Sequence, residues 1–283
     1  MDRYRLIDSG GGRKLEAIGG VTVERQAATA FWSPRLSPAE WRQVDARHVR
    51  SSSGGGHWEQ VTKNLPADWN VAVGPLQLKS KLTSFGHCGF FAEQSTEWQF
   101  FLDWQKRRAP GAPPLQALNL FGYTGASSLA LGLGGAHCTH VDAAKGIVDW
   151  AKENATLNEV PNDRLRFITE DCQKFIDREI RRGKRYNALL LDPPSYGRGP
   201  NGEIFKIEEA IGPMLKALAQ IVVDPELIHF SCHTPGFGPK VLKNLLLDHF
   251  NLVGMREELF EMSVYEETGR DLSSGFCAKF WRE

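Results

Sequence analysis

The sequence predicts an α/β protein in which a doubly wound, mostly parallel sheet follows a small α+β N-terminal domain. From Leu115 onward, apolar runs of five to seven residues alternate with stretches of helical period, the pattern of parallel strands joined by crossover helices. RRAPGAPP at 107–114 strings together residues that neither a helix nor a strand interior tolerates, which sets a boundary between 1–109 and 110–283. A length of 283 residues agrees with two domains at about 150 residues each.

Ahead of the boundary, RLIDSGGGRKLEAIGGVTVERQAATAFW sets short apolar groups between glycine clusters and reads as strand, turn, strand. SPAEWRQV then supplies Ser37 as an N-cap with Pro38 at the first helical position. A Ser/Gly loop at 51–56 precedes WNVAVGPLQLKSKL, a further strand region, and GHCGFFAEQSTEWQFFLDWQKRR ends as an amphipathic helix. Trp98 and Trp104 on that helix are expected in the core.

Behind the boundary the apolar runs are LQALNLF (115–121), HCTHVD (137–142), LRFIT (165–169), YNALLLD (186–192) and ELIHFS (226–231). SSLALGL, AAKGIVDWAKENATLN, CQKFIDREIRRG, KIEEAIGPMLKALAQIV and GPKVLKNLLLDHF supply helices between and after them. FNLVGMREELFEM and SSGFCAKFWRE are strand-like without a helix between, so an antiparallel hairpin closes a sheet of about seven strands.

Composition narrows the function classes. With 41% hydrophobic and 24% charged residues the chain can bury a core and is not a disordered polymer. No apolar run approaches the roughly 18 residues of a membrane span, and MDRYRLIDSGGG lacks a signal-peptide progression, so a soluble cytoplasmic protein is expected. Five cysteines without C-x-x-C spacing predict reduced thiols, with no disulfide framework and no zinc ribbon. His137 and His140 lie three apart on a strand, facing opposite sides, and do not predict a metal site. The balance of 34 basic and 34 acidic residues is uneven, with 12 Lys/Arg against 8 Asp/Glu in residues 1–85 and 22 against 26 thereafter. That leaves a modestly basic N-terminal part, read equally well as chance or as a face for an anionic ligand.

In such a sheet ligands bind beyond the carboxyl ends of the strands, where the strand order reverses. The first run ends Asn119-Leu120-Phe121-Gly122-Tyr123-Thr124-Gly125, whose glycines permit a tight turn and close backbone approach. Only the G-x-x-G end of the dinucleotide fingerprint is present, which weakens a nicotinamide cofactor. Asp142 closes the second run about 20 residues on, where a carboxylate can accept from ribose hydroxyls; it can equally cap the helix beginning at Ala143. At Glu170-Asp171-Cys172 the Asp171 side chain and the next N–H suit an adenine edge, with a helix N-cap as the alternative. Asp192-Pro193-Pro194-Ser195-Tyr196-Gly197 is the most specific feature: two prolines leave the loop carbonyls free to accept from an exocyclic amino group, and Tyr196 offers a stacking face.

With NLFGYTG, VDAAK, EDCQKF and LDPPSYG in this order, residues 115–283 resemble class I S-adenosylmethionine-dependent methyltransferases. GHCGFFAEQ, NLFGYTGASSLAL and LDPPSYGRGPNGEIFK more narrowly resemble bacterial large-subunit ribosomal RNA methyltransferases of the cytosine-C5 and guanine-N7 group. The resemblance implies a Rossmann-like seven-stranded methyltransferase sheet, S-adenosylmethionine as cofactor, ribosomal RNA (23S) as partner, and neither metal nor membrane. It implies that Gly122, Thr124 and Gly125 contact the methionine end, with Asn119, Phe121 and Tyr123 counted in the same cofactor-binding turn. Asp142 and Ala143 would hold the ribose, Asp171 and Cys172 the adenine, and Glu93 would lie near the cofactor. Asp192, Pro193 and Pro194 would orient the target base with Tyr196 stacked on it, Asp192 also touching the cofactor.

In the cytosine-C5 members a Ser-Cys-Ser strand end supplies a thiolate for C6; here Ser231-Cys232 is followed by His233. Cys232 is therefore either that nucleophile or a core cysteine. Residues 1–85 leave room only for the small middle domain of those members, not for their additional RNA-binding module. A nicotinamide oxidoreductase, a catalytically silent RNA-binding protein and a methyltransferase of a non-RNA substrate are the rival readings.

Overall fold

The computed structural model describes residues 3–51, 55–109, 111–198 and 204–283. Pro110 of the predicted boundary, 52–54 of the Ser/Gly loop and 199–203 of the LDPPSYGRGPNGEIFK stretch lie outside the described residues. Contacts divide the chain into two compact units: the described residues up to Thr96 with Ser263–Ser274, and Glu97–Met262 with Gly275–Glu283.

In the first unit, the segment read as strand, turn, strand forms an antiparallel meander of β1 (Arg5–Gly10), β2 (Arg13–Ile18) and β3 (Val21–Gln26). Gly11, Gly12 and Gly19 take positive φ at its turns, the conformation for which glycine is selected. The four-residue α1 (Pro38–Trp41) starts with Ser37 as N-cap in a reciprocal capping box with Glu40. Two strands that sequence periodicity did not show follow, β4 (Ala46–Arg50) and β5 (Gly56–Gln60), extending the sheet in the order β1-β2-β3-β4-β5. ARHVR and GHWEQ carry charged or polar residues at most positions, so no apolar alternation betrays them. β6 (Trp69–Val73) and β7 (Leu76–Ser80) pair as a separate hairpin over WNVAVGPLQLKS.

Buried charge organises this unit. Wholly buried Glu16 receives Arg25 Nε at 2.5 Å, Lys14 Nζ at 3.0 Å and the Tyr4 hydroxyl at 2.9 Å. Burial alone would raise its carboxyl, but Arg25 and Lys14 outweigh that and hold it at about 2. Asp8, also wholly buried, accepts from Leu36 N–H at 2.9 Å, Trp41 Nε1 at 2.8 Å and Arg270 Nη2 at 2.9 Å. Those last residues before the sheet unit's final strand segment thus belong to the N-terminal unit, which sequence order alone does not suggest.

In the second unit, α2 (Ser95–Arg107) presents Trp98, Phe101 and Trp104 as its buried face. Then follow β8 (Gln116–Leu120), α3 (Ala126–Leu133), β9 (His137–Asp142), α4 (Lys145–Leu157), β10 (Leu165–Thr169), α5 (Cys172–Arg181) and β11 (Tyr186–Leu191). A short hairpin of β12 (Tyr196–Arg198) and β13 (Ile204–Lys206) precedes α6 (Ile207–Leu218), β14 (Val222–Cys232) and α7 (Pro239–Leu247). β15 (Arg256–Tyr265) and β16 (Asp271–Trp281) end the fold. The seven strands run β10-β9-β8-β11-β14-β16-β15, with β16 antiparallel to β14, the predicted doubly wound sheet. The FNLVG part of the predicted sixth strand is instead loop, turned by Gly254 at φ +78°.

Register decides where chemistry gathers. Leu120 pairs with Val141 and Leu191, and Leu191 with Phe230, so Phe121, Asp142 and Asp192 emerge at one edge of the sheet. Helices cover the apolar strands, and Leu118, Leu120, Leu189, Leu191, Ile228 and Phe230 are all within 1% of full burial. Arg25→Met should lower the stability of the protein by about 3–5 kcal/mol, since it strands the buried Glu16 carboxylate. Urea denaturation of the variant tests this; an unchanged midpoint would mean that Lys14 alone neutralises Glu16.

Candidate active site

The strand order reverses between β8 and β11, and the loops leaving these strands flank the crevice where α/β sheets bind ligands. The 121–125 loop is wound tightly: Phe121 has φ +56°, Tyr123 +50° and Gly125, the residue before α3, +92°. Left-handed geometry at the two non-glycine positions costs on the order of 1–3 kcal/mol each and persists only where neighbours impose it. Here they do. Gly122 N–H donates to Val141 O at 3.0 Å, Tyr123 N–H to Asp142 Oδ2 at 3.0 Å, and Asn154 Nδ2 to Thr124 O at 2.9 Å. A Cβ on Gly122 would lie 2.4 Å from the His140 ring, so no larger residue fits there.

Asp142 Oδ1 also accepts the Ala144 N–H at 3.0 Å, and Ala143 N–H is a further donor. Its carboxylate therefore clasps the 121–125 loop to the start of α4. The capping reading of Asp142 is met, and it does not exclude the ligand reading, because a carboxylate has about four acceptor positions and these donors take three. Burial raises its pKa beyond what the three N–H donors offset, so a ribose hydroxyl donating to it meets an under-neutralised acceptor.

Asp171 is the N-cap of α5, its Oδ1 accepting Lys174 N–H at 3.0 Å. The N–H of Cys172, in the first turn, is one that helix geometry leaves for an outside acceptor. The Cys172 thiol is buried, and burial pushes its pKa up despite a hydrogen bond from Phe121 N–H. Asn119 and Phe121 are occupied within the fold. Asn119 Nδ2 donates to Ser128 Oγ at 2.8 Å, which meets His140 Nδ1 at 3.1 Å, and the Phe121 ring lies 5.2 Å from that of Phe205. Glu93 sits buried in a 3-10 turn, Ala92–Gln94, of the first unit. Ser128 and Asn154 are unmarked in the sequence and His140 is marked there only as a metal ligand to be discarded, since the signal of their role in the fold is burial of a polar side chain.

At the end of β11 the loop bearing Asp192, Pro193 and Pro194 meets the end of β14. His233 Nδ1 stands 3.5 Å from Asp192 Oδ1, and the Ser195 and Thr234 hydroxyls are 2.7 Å apart. Tyr196 is 50% exposed. The His233 ring thus faces the aspartate, a pairing that linear adjacency to Cys232 concealed. Cys232 is fully buried, its thiol accepting Thr234 N–H at 3.4 Å. Burial pushes that thiol up, outweighing the small lowering by His233.

Glu97, His229 and Cys277 converge with ligand atoms within 4.8 Å among the described residues. The Lys279 ammonium, 2.9 Å from Glu97 Oε2 and 2.7 Å from Glu258 Oε2, already supplies positive charge there. His137 and His140 diverge as expected, His137 Nδ1 meeting Asp163 O at 3.0 Å and His140 turning inward to Ser128.

An antiparallel last pair in this strand order, with glycine turn, carboxylate and helix-capping acid at successive strand ends, defines a class I S-adenosylmethionine-dependent methyltransferase. A family model for S-adenosylmethionine-dependent methyltransferases matches residues 26–251, and the chain belongs to that family. The crystal structure of an S-adenosylmethionine-dependent methyltransferase from Agrobacterium tumefaciens is similar over 99% of this chain and 90% of that one, at 31% identity and a TM-score of 0.90. Ribosomal RNA large subunit methyltransferase K/L of Pseudoalteromonas translucida is 30% identical over 140 residues, 49% of this chain and 18% of that protein. Ribosomal RNA large subunit methyltransferase K of Neisseria meningitidis is 26% identical over 152 residues, 53% of this chain and 41% of that protein. The chain thus matches less than half the length of these two relatives. The nicotinamide reading falls with the family match and the incomplete glycine fingerprint. The cofactor is S-adenosylmethionine, and no helix among the described residues is long and apolar enough to cross a membrane.

Asp142→Ala should weaken S-adenosylmethionine binding by about 1.5–3 kcal/mol, roughly ten- to a hundred-fold in Kd, through loss of the charged acceptor and loosening of the loop. Calorimetry checks this, and an unchanged Kd would remove Asp142 from the site. Burial also pushes His140 down to about 4, against about 6.5 in an unfolded chain. The unfolded chain takes up a proton that the folded one refuses, so stability is lost as pH falls from about 6.5 to about 4. Between pH 7 and 4.5 the wild type should lose about 2 kcal/mol more than His140→Gln, measured by denaturant titration.

Proposed function

We propose that this enzyme methylates a base of RNA, most specifically of large-subunit ribosomal RNA, at a ring nitrogen rather than at cytosine C5. The observation that carries the choice of atom is the state of Cys232. C5 chemistry needs a thiolate to add to C6 first, and a thiol that is enclosed, bonded and raised in pKa does not provide one. A ring nitrogen of the guanine-N7 kind attacks with its own lone pair and needs neither covalent step nor base.

The bound cofactor supplies an electrophilic methyl on a sulfonium. The chain's contribution is placement: 121–125 and Asp142 hold the donor, Asp171 and Cys172 border the adenine, and the loop of Asp192, Pro193 and Pro194 holds the base in line. Tyr196, half-exposed beside it, stacks on that base. The N-terminal part, 1–109 by the sequence boundary, holds the RNA. Its support is the modest excess of basic residues and the exposed rings of Phe31 and Phe85, at 90% and 72%. The names of the two ribosomal RNA methyltransferases point to the same substrate class, and a cytoplasmic location follows from it.

Methyl-labelled S-adenosylmethionine and RNA from cells lacking the protein test this reading. A labelled N-methyl base, with Cys232→Ser active at close to the wild-type rate, is expected. Labelled 5-methylcytosine, or a dead Cys232→Ser that still binds cofactor, would overturn the nitrogen assignment; an unlabelled RNA pool would overturn the substrate.

A further inference from the structure

At the opposite end of the sheet unit, where β8 to β11 begin, lies a cleft of about 450 Å³. It is about 16 Å from the cofactor loops, the length of the five-residue β10. The start of β10 and the loops entering β10 and β11 line it with Arg166, Arg164, Lys184 and Arg185, against one carboxylate in the lining, that of Asp163. These cations are poorly neutralised. Arg185 Nη1 donates only to main-chain carbonyls in its described contacts, those of Lys184 at 3.2 Å and Gln220 at 3.0 Å. Arg164 Nη1 donates to Gly135 O at 2.7 Å, and its Nε stands 3.7 Å from an Asp163 side chain that is 68% exposed. The nearest buried acid, Glu179, is 3.8 Å from Arg166 Nη1 and is already engaged by the Tyr186 hydroxyl at 2.9 Å and Arg182 at 3.3 Å.

Four like charges converging on one concavity repel one another, and the arrangement is favourable when an anion enters. Guanidinium forks suit tetrahedral oxyanions in particular. We propose that this cleft is a phosphate-binding site, separate from the methyl-transfer site. The proposal does not depend on RNA being the methylated substrate. The group bound is either the phosphodiester of a nucleic acid or the phosphate of a small molecule, since a cavity of this volume admits both.

Calorimetric titration of the full chain with inorganic pyrophosphate, and with a single-stranded oligoribonucleotide of about ten nucleotides, tests it. Arg166→Ala/Lys184→Ala is compared with the wild type, and S-adenosylmethionine binding reports that the variant is folded. Lys184→Glu, at an exposed position, serves if the double variant does not fold. Pyrophosphate binding about ten-fold weaker in the variant, with cofactor affinity unchanged, is the expected result. If the oligoribonucleotide weakens in parallel, and the slope of log K against log salt shrinks by about 1.4 for two lost contacts, the phosphate is that of a nucleic-acid backbone. If only pyrophosphate weakens, the ligand is a small phosphorylated molecule. Pyrophosphate that does not bind the wild type, or binds wild type and variants alike, overturns the proposal.

Discussion

The carboxylate of Asp142 is the contact on which the working end of the sheet depends. A parallel sheet delivers its strands to one edge but leaves the loops there without partners of their own. Asp142 accepts from Tyr123 in the preceding loop and from Ala144 at the head of the next helix, so two crossovers become one surface. The left-handed backbone at Phe121 and Tyr123 is maintained by this clasp. Strain is thereby stored in the turn between β8 and α3, and the glycine at 122 makes room for the histidine packed beneath it.

Beneath the clasp, burial of polar groups is managed by pairing. Asn119, Ser128 and His140 form a chain from β8 through α3 to β9, with the imidazole kept neutral by its apolar surroundings. Lys279, 2% exposed, lies between Glu97 and Glu258 and 3.9 Å above the Phe100 ring, tying α2 to the last strands. In the first unit Asp8 and Glu16 hold charge without solvent because backbone N–H groups and arginines reach them. Each of these arrangements tolerates loss of a partner poorly, since a buried charge left alone is far costlier than the pair is favourable.

Chemically the site divides its labour between two loops. In the function proposed above, the turn after β8 and the acid after β9 form the socket for the cofactor. The proline pair after β11, joined to β14 through Ser195 and Thr234 and through Asp192 and His233, forms a rigid counterpart. Rigidity matters because an in-line transfer gains its rate from alignment, and a loop with two fixed φ angles loses little entropy in holding it.

Local periodicity and strand-end residues determined most of this fold. The runs at 137–142 and 165–169 coincide with β9 and β10, and the glycine turn, Asp142, Asp171 and the Asp-Pro-Pro loop all come to the carboxyl edge. That was legible because a buried parallel strand must be apolar and its end must turn, both of which are local demands. Tertiary structure alone decided the rest. The polar strands β4 and β5 exist by pairing with β3 and with each other, and Ser263–Ser274 joins the N-terminal unit because Arg270 satisfies Asp8, a residue 262 positions away. Whether Asn119 and Cys232 face ligand or core likewise depended on which neighbours the folded sheet brought to them, Ser128 in one case and the Thr234 amide in the other. Such contacts join residues distant in the chain or pointing across layers, and a linear pattern of residue types carries no record of them.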